Sequence, residues 1–176
     1  MSDLFTQSGA TFSDCRKWRY KLWRIWDTTI KPMNVIALNP STADERLNDP
    51  TITRCITRAT AGGYGGLIMT NIFAFRATDP RVMKAYPEPI GPDNDAHLID
   101  AANSAGIVIA AWGTHGEQRN PKRPDLDRRG QKVLELLRDI DIFALRFTKA
   151  GGPSHPLYLP AALQPIIFRP KKGDTT

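Results

Sequence analysis

The chain has 176 residues, with 24 Lys and Arg against 18 Asp and Glu, for a formal charge of +6 and a sequence pI near 9.5. That length suits one domain and leaves little room for a second. The longest apolar runs, Gly106 to Ala110 and Pro165 to Phe168, fall far short of the ~20 residues needed to span a bilayer, which excludes a transmembrane helix and a membrane partner.

Two cysteines, Cys15 and Cys55, cannot build a disulfide framework or supply the about four thiolates of an iron–sulfur cluster. The first residues carry acids and no basic-then-apolar leader, so the expected address is the cytoplasm. Basic residues crowd into 16–24, 119–129 and 169–172. Such clusters suit a polyanionic partner through phosphate contacts, or else form ordinary solvated faces.

In chain order, residues 1–14 read as an N-terminal extension, 15–170 as a single α/β domain and 171–176 as a flexible tail. From Cys15 to Trp26 the spacing of Trp18, Tyr20 and Leu22 at every second position, with Arg and Lys between them, predicts a strand with one buried face. Met33 to Asn39 is a mainly apolar run ending at the turn Asn39-Pro40-Ser41. Asp49 can cap a helix with Pro50 at its first position; Ile52, Cys55, Ile56 and Ala59 then recur at helical spacing until Gly62 stops it. Gly66 to Asn71 predicts a buried strand, Asp93 to Ala105 a helix with acids at its positive end, and Gly106 to Gly113 another strand. Asp127 to Arg138 predicts a helix with Val133, Leu134 and Leu137 inward, and Asp141 to Phe147 a further strand.

Strands alternating with helices predict a three-layer α/β sandwich around a mostly parallel sheet. Ligands of such sheets bind beyond the carboxyl ends of the strands. The residues there are Asn39, Pro40, Ser41 and Thr42, then Asn71 and Phe73, then Trp112, Gly113 and His115, then the stretch from Lys149 to Pro156 with Ser154 and His155. Amides, hydroxyls and imidazoles thus share one rim. No phosphate loop, dinucleotide-binding glycine pattern or hydrolase elbow is present, and the three histidines lack metal-ligand spacing. No metal, no cofactor and no obligate protein partner is expected.

The order of the segments IALNPS, TNIFAFRATDP, IVIAAWG and GPSHPLY is similar to the motif order of the uracil-DNA glycosylase superfamily. That resemblance implies an α/β sandwich of the glycosylase type and DNA or a nucleotide as partner. It implies an amide at Asn39 beside the glycosidic bond, Asn71 and a stacking Phe73 or Trp112 on an extruded base, and His155 near the departing base. With an amide at the first motif, Asp44 or Asp49 would supply the base. Pro40, Ser41, Thr42, Arg76, Gly113 and Ser154 would line the substrate, and Arg119, Lys122, Arg123 and Lys149 would hold phosphates.

The chain also resembles a bacterial and phage family catalogued as domain of unknown function 1643. The residues that carry this likeness include Leu38 to Asp44, Asp49 to Thr51, Asn71, Phe73, Arg76 to Pro80, Pro89 to Asp95, Ala111 to Gly113 and His155 to Tyr158. Beside base excision stand two alternatives: a small-molecule enzyme acting on nucleosides, nucleotides or modified bases, and a noncatalytic nucleic-acid-binding module. Asn39 and Asn71 as strand-end turn formers, and Asp49 as a plain helix cap, are the structural roles these residues would otherwise have.

Overall fold

A computed structural model describes residues 7–173. Seven strands form one sheet in the order β1-β2-β4-β3-β5-β6-β7. They are β1 (Gln7–Phe12), β2 (Arg19–Ile25), β3 (Met33–Ala37), β4 (Gly66–Asn71), β5 (Ile107–Ala110), β6 (Ile142–Ala144) and β7 (Ile166–Arg169). The helices are α1 (Pro50–Ala61), α2 (Pro80–Ala85), α3 (Asn94–Ser104) and α4 (Arg129–Leu136).

The expectation of a mostly parallel sheet is corrected: the sheet is mixed. The central strands β4, β3, β5 and β6 run parallel, whereas β1 and β2 on one side and β7 on the other pair antiparallel. Helical crossovers serve only the centre; the flanking strands return without one. The stretch read as an N-terminal extension contributes β1 to this edge. Within the stretch read as a tail, Lys171 N–H donates to Asp141 (2.8 Å) and Lys172 N–H to Arg138 O (2.7 Å). Residues 1–6 and 174–176 lie outside the described residues.

Two apolar cores lie on opposite faces. Ile52, Cys55 and Ala59 of α1 pack on Leu22, Met33, Val35, Leu67 and Met69. Met83, Leu98, Val133 and Leu134 of α2 to α4 pack on Ile36, Val108, Ala110 and Ile142. With both faces covered, every residue of β3 and β4 is buried. Asn34 alone breaks the apolar run of β3, and its Nδ2 donates to Ile68 O (3.1 Å) and Thr70 Oγ1 (3.2 Å).

Local sequence accounts for the helix starts. Asp49 accepts from Ile52 N–H (2.9 Å) with Pro50 next in line. The same grammar, unread in the sequence, starts α2: Asp79 accepts from Arg81 N–H (2.8 Å) ahead of Pro80. Helix α1 ends as expected at Gly62, but Gly62 is right-handed and Gly63, at φ +76°, takes the left-handed position. Helix α4 begins two residues late because the Asp127 carboxylate is committed to the preceding loop, accepting from Asn120 N–H (2.6 Å) and Arg119 Nε (3.2 Å).

Candidate functional site

The connection after β3 runs to α1 on one side, and the connection after β5 runs to α4 on the other. The carboxyl ends of β3 and β5 therefore border the crevice where open α/β sheets bind ligands. A cavity of about 500 Å³ lies there, within the range of small-molecule sites. Among the residues expected at the site, it brings together Asn39, Ser41, Asp49, Asn71, Trp112, Gly113 and His155, and it adds Arg19, Thr51, Thr78, Thr148 and His115.

Asn39 is oriented by its own amide group. Its Nδ2 donates to Ala77 O (2.7 Å) and Pro40 O (3.1 Å), so Oδ1 is left as an acceptor. Asn71 is 2 % exposed and its Oδ1 has no hydrogen-bond partner among the described residues. The backbone behind it is clamped: Asn94 Nδ2 donates to Asn71 O (2.9 Å) and Ile72 O (3.3 Å), and Arg129 Nε donates to Ile72 O (3.0 Å). Asn94 and Arg129 are positioning residues that the sequence reading missed; both sit inside predicted helices, and nothing local shows that they reach back to β4.

His155 is half-buried, and burial holds its imidazole below the ordinary range while the Asp49 charge pulls the other way. Its Nδ1 accepts from Leu157 N–H (3.4 Å), which puts the proton of the neutral ring on Nε2. Asp49 commits Oδ1 to the α1 cap. Its charge acts on both His155 and Arg19.

Arg19 is a further residue that sequence reading misses. It was placed between the inward positions of a regular strand, yet it is 2 % exposed and lines the cavity. Thr11 pairs with Lys21 and Phe12 with Arg19, so Tyr20 is the extra residue of a bulge. A bulge bends the strand and re-aims its side chains. Tyr20 accordingly stacks on His97 of α3 (4.9 Å between ring centroids). Arg19 reaches Ala43 O (2.7 Å), in the loop that Arg24 also holds through Asp44 O (2.7 Å). Strict alternation carries no sign of this.

Other expected residues lie elsewhere. Phe73 is buried in the core beneath α2 and α3 and does not line the cavity. Trp112 lines it but is itself buried, its Nε1 donating to Glu117 Oε1 (2.7 Å). Asp44 does not line the cavity; its Oδ1 accepts from Arg46 N–H (2.9 Å) and Leu47 N–H (2.8 Å), which lowers its pKa. Pro40 is buried and does not line the cavity, nor does Ser154, whose backbone N–H donates to Arg146 O (2.8 Å). Thr42 and Arg76 line a neighbouring cleft with Arg16 and Lys17, which shares Ser41, Ala77 and Thr78 with the cavity wall. Arg119 is paired with Asp127 and Arg123 with Asp125 (2.6 Å), while Lys122 and Lys149 are exposed.

Gly113 explains one turn of this wall. It has φ +67° and ψ −165°, a conformation essentially restricted to glycine, and its N–H donates to Pro153 O (2.7 Å). That bond ties the loop after β5 to the segment that carries His155.

A family model matches residues 19–157. The chain belongs to the DUF1643 family, described as Protein of unknown function. No curated protein and no solved structure matches it. The DUF1643 match starts at Arg19 and ends two residues beyond His155, so it takes in every residue that lines the cavity.

Among the described residues no group of His, Cys, Asp and Glu is placed to hold a metal ion. No helix of the described residues is long and apolar enough to cross a membrane.

Proposed function

We propose that this DUF1643 protein is a hydrolase of the uracil-DNA glycosylase type that recognises a nucleobase and cleaves its N-glycosidic bond. The observation that carries the reading is the convergence of Asn71, Asn39, Asp49 and His155 on one cavity. Breaking a C–N glycosidic bond develops positive charge on the sugar and negative charge on the base, so the site needs polar groups at both ends. Asn71, buried and with Oδ1 unpartnered, supplies an amide whose donor and acceptor match a base edge. Asn39 Oδ1 orients a water at the sugar carbon. The water oxygen bonds to that carbon as the C–N bond breaks, its proton passes to Asp49, and the departing base keeps the bonding pair while His155 Nε2–H donates to it.

The substrate carries the base either in DNA or as a free nucleoside or nucleotide. The ion pairs of Arg119 and Arg123 and the contacts of Arg123 with the carbonyls of Tyr86 and Pro87 favour the free form, because these cations are already engaged. The test is release of base, followed chromatographically, from oligonucleotides carrying uracil, hypoxanthine or modified bases and from free nucleosides and nucleotides. Release that is lost in Asn39→Ala and His155→Ala supports the reading. Release from none of them refutes it.

A further inference from the structure

We infer that Arg19 is an anion-binding residue of the cavity and that the ligand it takes is the terminal phosphate of a nucleoside monophosphate. The inference rests on the cavity being the ligand site, as proposed above, and names the substrate class.

Among the described residues four arginines are buried, Arg19, Arg24, Arg58 and Arg129. Three of them are well supplied with acceptors. Arg24 donates to Asn48 Oδ1 (3.0 Å), Trp23 O (2.9 Å) and Asp44 O (2.7 Å). Arg58 donates to Leu159 O (2.9 Å) and Pro160 O (2.7 Å). Arg129 has Ile72 O and the carboxylate of Asp95. Arg19 has one bond, from Nη1 to Ala43 O (2.7 Å), and that single bond sets it apart; its Nε, like that of Arg58, is buried without a partner among the described residues. It forms no salt bridge with a described residue, and of the four it alone lines the large cavity.

A buried cation without paired acceptors is costly, and a guanidinium offers donors in a planar fork that matches a phosphate. Burial lowers Arg19 only to about 10, so the group is charged at neutral pH. Around it, the charges of Arg24 and Arg76 outnumber those of Asp44 and Asp49 by none, but Arg19 itself leaves the cluster net positive. Hydroxyls complete the setting, since Ser41, Thr51 and Thr78 line the same cavity. Residues 51 and 52 also bring the N-terminal turn of α1 to its wall. The depth of Arg19 selects the form of the phosphate. A terminal monoester can enter a cavity and meet a side chain that is 2 % exposed, whereas the internal diester of a strand runs along a surface.

The test compares nucleoside monophosphates with the matching nucleosides by titration calorimetry on the full chain at fixed ionic strength. A charge-assisted bidentate contact makes the monophosphate about tenfold to a hundredfold tighter. Arg19→Gln is expected to erase that advantage, with Arg19→Lys in between. Equal affinity of nucleoside and monophosphate in the unaltered protein overturns the inference, as does an advantage that survives in Arg19→Gln. A single-stranded oligonucleotide of the same base that binds more tightly than the mononucleotide overturns the choice of a terminal phosphate.

Arg19 also holds the loop at Ala43, so the decision does not depend on the variant folding. In the nitrogen-labelled unaltered protein, the Arg19 Nε–H resonance is expected to move on addition of monophosphate and of inorganic phosphate, and to stay put with nucleoside. An unmoved resonance at saturation with monophosphate refutes the assignment. Arg19-dependent monophosphate binding without base release would refute the hydrolase reading and leave this inference standing. Base release with no monophosphate preference would do the reverse.

Discussion

Replacing Asn71 by Leu separates what the side chain does for folding from what it does for a ligand. Asn71 is 2 % exposed, and its Oδ1 lacks a partner. An orphaned buried polar atom costs about 1–3 kcal/mol, whereas an apolar group of similar shape carries no such penalty. The neighbouring backbone is held independently, by the β3–β4 ladder and by Asn94 on Asn71 O (2.9 Å), so the strand end keeps its position in the variant. Asn71→Leu is therefore expected to stabilise the unliganded protein by about 1–2 kcal/mol. In a domain of this size that raises Tm by about 2–4 °C for each kcal/mol. The same variant is expected to lose base release, since a leucine offers neither donor nor acceptor to a base edge. Thermal unfolding of both proteins and the chromatographic assay check the two halves. A fall in Tm of similar size would refute the stability argument, because the amide would then already be satisfied without ligand. Undiminished base release would refute its role in recognition.

Asp49 caps α1 and also faces the cavity, and two substitutions divide these roles. Asp49→Asn keeps the cap, so stability should change by less than about 0.5 kcal/mol while base release falls about a hundredfold or more; Asp49→Ala should lose about 1 kcal/mol as well. Urea unfolding and turnover measured on the same samples check both. Arg129→Met removes a buried charge-assisted bond to Ile72 O, and its partner Asp95 is half-exposed and can be solvated; a loss of about 1.5–3 kcal/mol in chemical unfolding is expected. Stability should also fall on acidification from about pH 6.5, the ordinary imidazole value. Burial lowers both His97 and His155 in the folded chain, so below that pH the unfolded chain binds more protons and the folded state is disfavoured. His155→Gln should make stability measured across pH 5 to 7 less steep, and an unchanged slope would count against the buried neutral ring.

The parts of the fold legible in the sequence are those in which one element decides its own form. Asp49-Pro50 with Ile52, Cys55 and Ala59 specifies α1 to within a residue, and Gly66 to Asn71 is a strand at the bounds its apolar run sets. Strand β1 was missed because an edge strand with exposed and half-buried residues has little periodicity to read. Strand β7 is a four-residue run whose first two residues are exposed and which pairs antiparallel at the other edge. Its apolar run shows in the sequence but is too short to be read as a strand until its neighbour is known. At the site, Asn39, Asn71 and His155 could be named because they follow strand ends or sit in a turn-rich loop. Arg19 could not, because its place in the cavity depends on a bulge opposite Thr11 and Phe12.

The same contrast bears on what the positive charge is for. Its clusters in the sequence invite a polyanion, but most of the arginines in them are turned onto backbone carbonyls. Outside the clusters, Arg54 and Arg58 do the same, both holding Leu159 O across a separation of more than a hundred residues. Arg123 holds Tyr86 and Pro87, and Arg169 holds Leu137 and Ile140. The strands here are short, with only three residues in β6 and four in β5, so the loops that build the site receive little support from the ladder. A guanidinium with five donors can bridge several loop carbonyls at once, which an ammonium cannot do in a fixed plane. Carbonyl acceptors leave the charge uncompensated. A basic chain is thus the consequence of fastening loops with arginine, and needs no polyanion to account for it. Among the buried arginines of the described residues, the one that fastening explains least is Arg19, with a single carbonyl bond and a place on the cavity wall.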